Sequence, residues 1–393
     1  MKNLETLIQE LCPNGVEFVK LGDVCKISRG KVYSKKYLAE HIGEYPVYSS
    51  QTANDGILGK IGTYDCNGNF LTWTTDGAYA GTVFYRQGKF SVTNVCGLIS
   101  CSNPILSLKF LYYWLTIEAP KHVHQGMGNP KLMSNQMAKI EIPLPPIEVQ
   151  TEIVRILDKF TSLEAELEAE LDCRKRQYEY YRDKLLSFDN VGGQEVEWKK
   201  MSEVCLKTSK INWKLVEGEY KYIDLSSVDR DNHKISDCTI INKENAPSRA
   251  QQVVKTGDIL FGTTRPTLMR FCYIPKEYDG EVCSTGYCVI RVNNEMINSH
   301  FAYHFLFTQK FQDYVEGHQK GASYPAISNK DVMSFELPIP SLQEQERIAT
   351  ILDRFESLTT SLQSGLPAEI AARRQQYEHY RDKLLTFKRK GVA

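Results

Sequence analysis

Several short segments of the sequence place basic, amide, hydroxyl and aromatic residues beside glycine. In the first half these candidate residues are Arg29, Lys31, Tyr33, Lys35, Ser50, Gln51, Asn54, Thr72, Trp73, Thr74, Gln125 and Lys131. In the second half they are Thr264, Arg265, Arg270, Thr285, Gln319, Lys320 and Tyr324. Arginine forks suit guanine, amides suit adenine and lysines suit phosphates, so these residue types favour contacts with DNA. Ordinary polar loops have a similar composition, and both interpretations stay open at each residue.

The two stretches that carry these residues differ in charge. Residues 22–140 contain 12 Lys and Arg against 7 Asp and Glu, whereas residues 204–332 contain 16 against 15. The formal net charge of the whole chain is +0. A polyanion is bound by a local basic face rather than by the overall sum. The first stretch therefore has a net positive charge. The second could bind DNA only if its basic residues lay together on one face.

The sequence lacks the motifs of common catalytic and cofactor sites. It has no G-x-x-x-x-G-K-[ST] phosphate loop, no G-x-G-x-x-G after a strand, no Pro-Asp pair and no Asn-Pro-Pro-aromatic tetrad of an adenine methylase. His300 and His304 are four residues apart, but the sequence shows no third metal ligand, so core packing is favoured. We predict no catalytic residue, no metal and no cofactor.

Cysteine usage and hydropathy predict a cytoplasmic protein. The eleven cysteines include no C-x-x-C pair, which favours reduced core thiols. The opening MKNLETLIQELC does not resemble a signal peptide. No window of about 18 apolar residues suggests a membrane span.

An internal repeat organises the chain. The matching segments are 142–163 with 337–358, 174–188 with 373–387, and 16–25 with 196–205. A weaker echo pairs Gly126 and Pro130 with Gly321 and Pro325. Residues 26–127 and 206–320, between these anchors, share little. The repeated unit is therefore a constant frame around a variable insert.

Each repeated segment is predicted to be a long helix that begins after prolines. The first runs from Glu148 to Phe188, and its 41 residues would span roughly 60 Å. Apolar residues recur at steps of three and four, which is the seam of a coiled coil. The second copy adds a capping box, Ser341 with Glu344. Duplicated units usually pack about a pseudo-two-fold axis, which predicts an antiparallel helix pair.

The two helices differ by one four-residue step. Three such steps lead from Leu358 to Ile370 in the second helix, where the first helix has two. Extra four-residue steps are stutters that locally unwind a supercoil. Gly365 and Pro367 stand inside the added turn, and we expect a kink or a restart of the helix there.

The predicted fold class is α+β. Two globular α/β domains are separated by two long antiparallel helices that form a coiled coil, with an internal pseudo-two-fold repeat. Glycine-punctuated β-type runs fill residues 22–140, and helices are expected near Ser107–Ile117 and Ser299–Phe311. The expected segments are 1–142 (arm and first variable domain), 143–190 (central helix), 191–337 (second variable domain) and 338–393 (distal helix).

This arrangement resembles the specificity subunit of type I restriction–modification systems. The helix entry Pro145, Pro146 and Gln150, matched by Pro340 and Gln345, is similar to that of the family. LEAELEAEL resembles its four-residue spacer repeat. LIQELCPNGVEF, TWTTDGAYAGTVFY and GDILFGTTRPTLMR resemble segments of its target-recognition domains.

The resemblance implies a non-catalytic DNA-binding subunit. Each target-recognition domain would read one half of a bipartite, asymmetric site in double-stranded DNA, and the helices would set the gap between the halves. Two modification subunits, which methylate adenine with S-adenosylmethionine, would dock on the constant regions, and ATP-dependent restriction subunits would join them. The chain itself would hold no cofactor.

Two other interpretations make different predictions. A fragment of a fused restriction–methyltransferase would carry catalytic motifs, which the sequence lacks. A coiled-coil scaffold with two ligand-binding domains would not bind DNA. DNA binding through phosphates should weaken steeply as salt rises, which separates the scaffold from the DNA-binding subunit.

Overall fold

The computed structural model describes residues 4–125, 128–188, 196–360 and 365–391. The chain divides into two compact units. Unit 1 contains Met1–Glu166 and Ala371–Ala393, and unit 2 contains Leu167–Ile370. The division cuts through the predicted central helix, so each unit combines one variable domain with parts of both long helices.

Unit 1 is built on a six-stranded sheet with strand order β2-β7-β5-β6-β3-β4 and a two-stranded sheet β1-β8. Its strands are β1 Glu17–Lys20, β2 Lys26–Arg29, β3 Ile42–Tyr48, β4 Ile57–Ile61, β5 Cys66–Thr74, β6 Val83–Val92, β7 Cys96–Ser100 and β8 Glu141–Leu144. Its helices are α1 Leu4–Leu11, α2 Leu21–Val24, α3 Lys35–Glu40, α4 Leu108–Glu118, α5 Ser134–Met137 and the first half of α6 Ile147–Leu186.

Unit 2 contains sheets ordered β10-β13-β16-β11-β12, β15-β14-β17 and β18-β9. Its strands are β9 Glu197–Lys200, β10 Ser209–Lys210, β11 Tyr220–Ile223, β12 Thr239–Ile241, β13 Ala250–Val253, β14 Ile259–Gly262, β15 Phe271–Tyr273, β16 Val282–Ser284, β17 Tyr287–Ile290 and β18 Glu336–Ile339. Its helices are α7 Met201–Val204, α8 Ser299–Phe305, α9 Gln309–His318, α10 Asn329–Val332, α11 Leu342–Thr360 and the start of α12 Leu366–Leu384. The mixture of sheets and long helices confirms the α+β fold class.

A fully buried glutamine fixes the start of helix α6 in unit 1. Gln150 accepts a hydrogen bond from the backbone nitrogen of Ser107 at 2.8 Å. Its amide nitrogen donates to the carbonyl oxygens of Ile105 and Pro145 at 2.8 and 2.7 Å. Because Ser107 also caps helix α4, this one side chain joins the variable domain to the long helix.

Unit 2 repeats this arrangement at the start of helix α11. The buried Gln345 accepts from the backbone nitrogen of Asn298, the N-cap of α8, at 2.7 Å. It donates to the carbonyl oxygens of Met296 and Pro340 at 3.2 and 2.8 Å. The proline-to-glutamine spacing of the repeated helix entry is therefore explained by a buried network that occurs in both units.

The long helices pair in antiparallel directions within each unit. In unit 1, Phe160 of α6 stacks on Tyr380 with ring centroids 5.5 Å apart, and Glu164 accepts a hydrogen bond from Arg374 at 2.7 Å. In unit 2, Tyr181 of α6 stacks on Phe355 of α11 at 5.8 Å. Aromatic residues make the ring contacts, and a charged pair adds to them in unit 1.

The distal helix is described as two helices. Helix α11 ends at Thr360 and α12 begins at Leu366, while residues 361–364 lie outside the described residues. Gly365 has φ +107°, where a Cβ would lie 2.9 Å from the Ser357 carbonyl oxygen. The break expected from Gly365 and Pro367 is confirmed, because only glycine accepts that backbone angle without strain.

Two local predictions were wrong in detail. The helix expected over Ser299–Phe311 is two helices, α8 and α9, separated at Leu306–Thr308. The Ser341 hydroxyl accepts from the Glu344 nitrogen at 3.3 Å, as a capping box requires, but the Glu344 carboxylate accepts two hydrogen bonds from Arg347. The Glu344 carboxylate, which the capping box would place on the Ser341 backbone nitrogen, therefore forms an ion pair with Arg347.

Candidate nucleic-acid interface

Two loops of unit 1 are held together by backbone hydrogen bonds at one end of its large sheet. Leu132 donates to the Thr75 carbonyl oxygen at 2.9 Å, and Gly77 donates to that of Pro130 at 3.1 Å. Lys131 lies between these two bonds and is exposed. Its backbone forms β-bridges with Asp76 and with His124. The loop after β5 and the loop before α5 therefore form one surface.

Unit 2 contains the same hydrogen-bonding frame. Ile327 donates to the Thr263 carbonyl oxygen at 2.9 Å, and Arg265 donates to that of Pro325 at 2.7 Å. Ala326 forms the β-bridge between them. Pro130 and Pro325, which the sequence repeat also aligned, occupy equivalent places. The two units therefore share this pattern of backbone hydrogen bonds, but the side chains on the hydrogen-bonded loops differ.

The basic residues at the end of β2 lie beside this surface in unit 1. Arg29 donates to the Ser134 hydroxyl at 3.2 Å. Lys31 and Tyr33 both bind the Asp65 carboxylate, at 2.8 and 2.6 Å. Burial would raise the pKa of Asp65, but the hydrogen bonds from Lys31 and Tyr33 outweigh it and the pKa is lowered. Both predicted residues are thus fixed by a carboxylate that the sequence did not indicate.

Three further predicted residues of unit 1 are polar, of which Lys35 and Asn54 are exposed and Gln51 is half-buried. Lys35 is exposed at the start of α3, whose N-cap is the Ser34 hydroxyl. Gln51 donates to the Ile57 carbonyl oxygen at 2.8 Å, and exposed Asn54 has φ 50°. A left-handed angle at a non-glycine residue stores strain, which is common at functional loops.

Some predicted residues of unit 1 instead hold the surface together. The Ser50 hydroxyl accepts from the Thr75 nitrogen at 2.8 Å and so fixes the loop after β5. Thr72, Trp73 and Thr74 lie in β5 with at most 1% of each residue exposed, and Trp73 Nε1 donates to the Leu132 carbonyl oxygen at 2.9 Å. Their burial in the sheet argues against direct contact with DNA, and DNA contact by these three residues stays a prediction.

The remaining prediction in unit 1 concerns residues 125–131. Gln125 and Lys131 are exposed at the two ends of this loop. Gly126, which the sequence repeat aligned with Gly321, lies outside the described residues. The loop joins the surface through the hydrogen bond between the backbone of His124 and Lys131 at 2.9 Å.

The predicted residues of unit 2 come together around the turn between β14 and β15. Exposed Arg265 has φ 49°, and its guanidinium carbon lies 5.2 Å from the ring centroid of Tyr324. Lys320 pairs with Ala326 and is exposed. Thr264 is exposed in the same turn, and Thr285 is exposed in the adjacent turn before Tyr287.

Two polar atoms of this surface lack partners. Within the described ranges, the buried side-chain atoms without a hydrogen-bond partner are Arg270 Nε and Gln319 Oε1. Both residues were predicted to contact DNA. An unsatisfied buried donor or acceptor costs about 1–3 kcal/mol, so such atoms point to a surface that a ligand or ordered water completes.

The sequence did not single out two exposed residues of these surfaces. Tyr79 is 68% exposed in the loop of unit 1 that follows Gly77. Arg249 is exposed, and its carbonyl oxygen accepts a hydrogen bond from the Thr285 nitrogen at 2.9 Å. The sequence could have indicated both residues, because Tyr79 lies beside glycines in DGAYAG and Arg249 follows a proline and a serine in APSRA.

A separate cluster in unit 2 bears on metal binding. His300 Nδ1 and His304 Nε2 lie 3.1 and 2.7 Å from the same carboxylate oxygen of Asp353 in α11. The sequence does not indicate the third ligand, because Asp353 is distant in the chain from both histidines. Side chains of His304, Asp353 and Glu356 could hold a metal ion.

Comparisons with known proteins agree with the repeat and the fold. The chain matches the family described as the type I restriction modification DNA specificity domain over residues 13–172 and 194–372. It is 32% identical over 383 residues to a putative type I specificity subunit of Mycoplasma pneumoniae, covering 93% of this chain and 96% of the relative. It is 33% identical over 404 residues to a type I restriction enzyme specificity subunit of Escherichia coli, covering 95% and 94%.

A solved structure supports the architecture. The crystal structure of a type I restriction–modification S subunit from M. genitalium aligns with a TM-score of 0.60 at 17% identity, over 94% of this chain and 96% of that one. At that identity the match speaks for the fold alone.

The chain belongs to the family of type I restriction–modification specificity subunits. It is a non-catalytic subunit for sequence-specific DNA recognition, and its partners are DNA and the modification and restriction subunits. The scaffold interpretation without DNA binding is not supported. Among the described residues, no helix is long and apolar enough to cross a membrane.

Proposed function

We propose that unit 1 and unit 2 each read one half of a bipartite, asymmetric site in double-stranded DNA. The observation that carries this proposal is the shared backbone frame at Pro130 and Pro325, which presents different exposed side chains in the two units. A duplicated frame with divergent side chains suits two readers of different sequences.

In unit 2, we propose that Arg265, Arg270 and Gln319 contact base edges. Arginine and amide side chains are the common readers of guanine and adenine in the major groove. The left-handed backbone at Arg265 and the unpartnered atoms of Arg270 and Gln319 support a surface that is completed by a ligand. Thr264, Thr285, Lys320 and Tyr324 would line the same contact.

In unit 1, we propose that the exposed Arg29, Lys31, Lys35 and Lys131 bind phosphates and position the duplex. The hydrogen bond that Lys31 donates to the Asp65 carboxylate raises the pKa of Lys31, so this ammonium stays charged. Gln51, Asn54 and Gln125 are the proposed base-contacting amides of this unit.

The long helices would have two further roles. Helix α6 runs without a break from unit 1 into unit 2, and its length would set the unread gap. The constant segments, which are similar between the copies, would dock two modification subunits, and ATP-dependent restriction subunits would join that complex. S-adenosylmethionine and ATP would belong to those partners, and the complex would act on DNA in the cytoplasm.

The test is to map methylated adenines after co-expression with the cognate modification subunit in an unmethylated host. We expect a bipartite methylated site. Replacing residues 26–127 by the same region of another specificity subunit should change one half of that site only. A change in both halves would refute independent reading by the two units.

A further inference from the structure

Unit 2 contains an open cleft of about 460 Å³ beside helices α8 and α11. His300 and Tyr303 of α8 and Asp353 and Glu356 of α11 line it. At its inner side stands His304, whose side chain is completely buried. No residue of this cleft belongs to the proposed DNA-contacting loops.

Imidazole and carboxylate groups meet closely there. His304 Nε2 lies 2.7 Å and His300 Nδ1 lies 3.1 Å from Asp353 Oδ1. The Tyr303 hydroxyl donates to Glu356 Oε1 at 3.2 Å. The ligand atoms of His304, Asp353 and Glu356 all lie within 4.8 Å of one another.

The equivalent place in unit 1 contains a permanent cation. Asp158, which follows Gln150 by the same interval as Asp353 follows Gln345, accepts hydrogen bonds from Lys109 Nζ at 2.7 Å and from the Tyr113 hydroxyl at 2.6 Å. Lys109 therefore neutralises Asp158, the carboxylate at this place in unit 1.

Unit 2 has two carboxyl groups at this place and no lysine at the position of Lys109, although Lys234 lines the same cleft. His300 and His304 occupy the helix positions of Lys109 and Tyr113, counted from the N-caps Ser107 and Asn298. Glu356 adds a second carboxyl, and its burial raises its pKa because the charged form is poorly solvated. A divalent cation would neutralise both carboxylates.

We propose that this cluster is a zinc site, with His304 Nε2, Asp353 and Glu356 as ligands and, after rotation of its side chain, His300 Nδ1 as the fourth. Mixed imidazole and carboxylate donors suit zinc better than magnesium. Ligand atoms around a tetrahedral zinc ion lie roughly 3.3 Å apart, which falls inside the spread of the distances here. Small side-chain rotations would close the site.

The surroundings meet the other requirements of a metal site. The second ring nitrogen of His304 lies 3.3 Å from the Tyr178 hydroxyl, and such a hydrogen bond fixes the orientation of a ligating imidazole. The cleft provides an entry path from solvent. With four protein ligands, the ion would be structural and would join α8 of the variable domain to the constant helix α11.

The test uses the full chain, treated with a chelator and then titrated with Zn²⁺ alone, with Mg²⁺ as the comparison ion. We expect one zinc ion per chain by elemental analysis, a raised thermal midpoint, and no comparable effect of Mg²⁺. Asp353→Asn and Glu356→Gln each remove a ligand and should weaken zinc binding by more than the roughly 10–100-fold that loss of an outer-shell partner costs. Asp158→Asn, the matched change in unit 1, should leave zinc binding unchanged.

Two readouts keep the result interpretable. If Asp353→Asn fails to fold, Glu356→Gln and His300→Gln alter side chains at the cleft while conserving much of their volume. Substitution by Co²⁺ should give visible d–d bands without a thiolate charge-transfer band, which excludes the cysteines as ligands. Zinc binding that is equal in wild type, Asp353→Asn and Glu356→Gln would overturn the proposal. So would the absence of zinc binding, which would leave protonated imidazoles as the neutralising groups.

Discussion

The two units make the same hydrogen bonds at the start of their long helices, but two helical turns further along the contacts of the helix with the variable domain differ. Gln150 and Gln345 make equivalent hydrogen bonds to the N-cap residues of α4 and α8. Asp158 and Asp353 are also retained, but Asp158 meets a lysine and a tyrosine whereas Asp353 meets two histidines. The constant helix thus has an aspartate at this position in both units. The difference between the units lies in the side chains of the variable domain that bind this aspartate.

This comparison separates two constraints on the duplicated chain. A side chain that binds backbone atoms, as the glutamines do, tolerates any sequence in its partner. A side chain that binds other side chains changes its chemistry when the variable domain is replaced. Substitutions at the two kinds of position should therefore behave differently in the two units.

The largest effect is expected for Gln150→Ala and Gln345→Ala. Each change leaves a buried backbone N–H and two carbonyl oxygens unsatisfied, and should destabilise its own unit by about 3 kcal/mol. Hydrogen exchange resolved by unit measures the loss. Gln375→Ala, at an exposed position of α12, is the control. If only one of the two substitutions destabilised its unit, the two helix starts would not be equivalent.

Arg265→Ala and Lys131→Ala sharpen the comparison at the reading surfaces. If Arg265 reads a base, its loss should cost about 1–3 kcal/mol and relax specificity in one half of the site, whereas loss of Lys131 should weaken binding to all sequences and reduce the salt dependence. Competition binding by the complex with modification subunits measures both. Lys255→Ala, in the turn before β14, and Lys26→Ala, at the first residue of β2, serve as controls. Equal loss on every sequence for Arg265→Ala would contradict base reading.

Tyr113→Phe tests the side-chain partner of Asp158. The change removes a hydrogen bond to a carboxylate that is 34% exposed, so we expect unit 1 to lose about 1.5 kcal/mol and unit 2 to be unaffected. Hydrogen exchange again measures the loss. Tyr112→Phe controls for removal of a hydroxyl from α4. An unchanged stability of unit 1 would show that Lys109 alone satisfies Asp158.

The smallest energetic effect is expected for insertion of LEAE after Leu171. Four residues lengthen a helix by about 6 Å, and the added turn repeats the existing sequence, so stability should hardly change. Methylation mapping should show both half-sequences unchanged and a wider gap between them. Glu166→Gln with Glu168→Gln, which keep the length, should leave the gap as it was. An unchanged gap after the insertion would exclude helix length as its determinant.

The sequence predicted the parts of the fold that depend on local pattern. The apolar ladder predicted α6, and Gly365 with Pro367 predicted the break before α12, because both depend on residues close in the chain. It also selected the loop residues Arg265, Arg270 and Gln319, which the structure brings together.

Burial and long-range partners could not be predicted in the same way. Thr72, Trp73 and Thr74 have the composition of a polar contact loop, but the pairing of β5 with β6 and β7 places them in the core. Asp65 and Asp353 are separated in sequence from the residues they bind, so only tertiary structure identifies them.

The discontinuous composition of unit 1 has a consequence for synthesis of the chain. Leu385 is buried in the core of unit 1, and Lys388 accepts a backbone hydrogen bond from Val16 at 2.8 Å. Unit 2, by contrast, is one continuous stretch, Leu167–Ile370. Domains on a ribosome generally fold as their residues emerge. The unit that emerges first is thus the last to be completed, and until then the part of its core that Leu385 covers stays exposed.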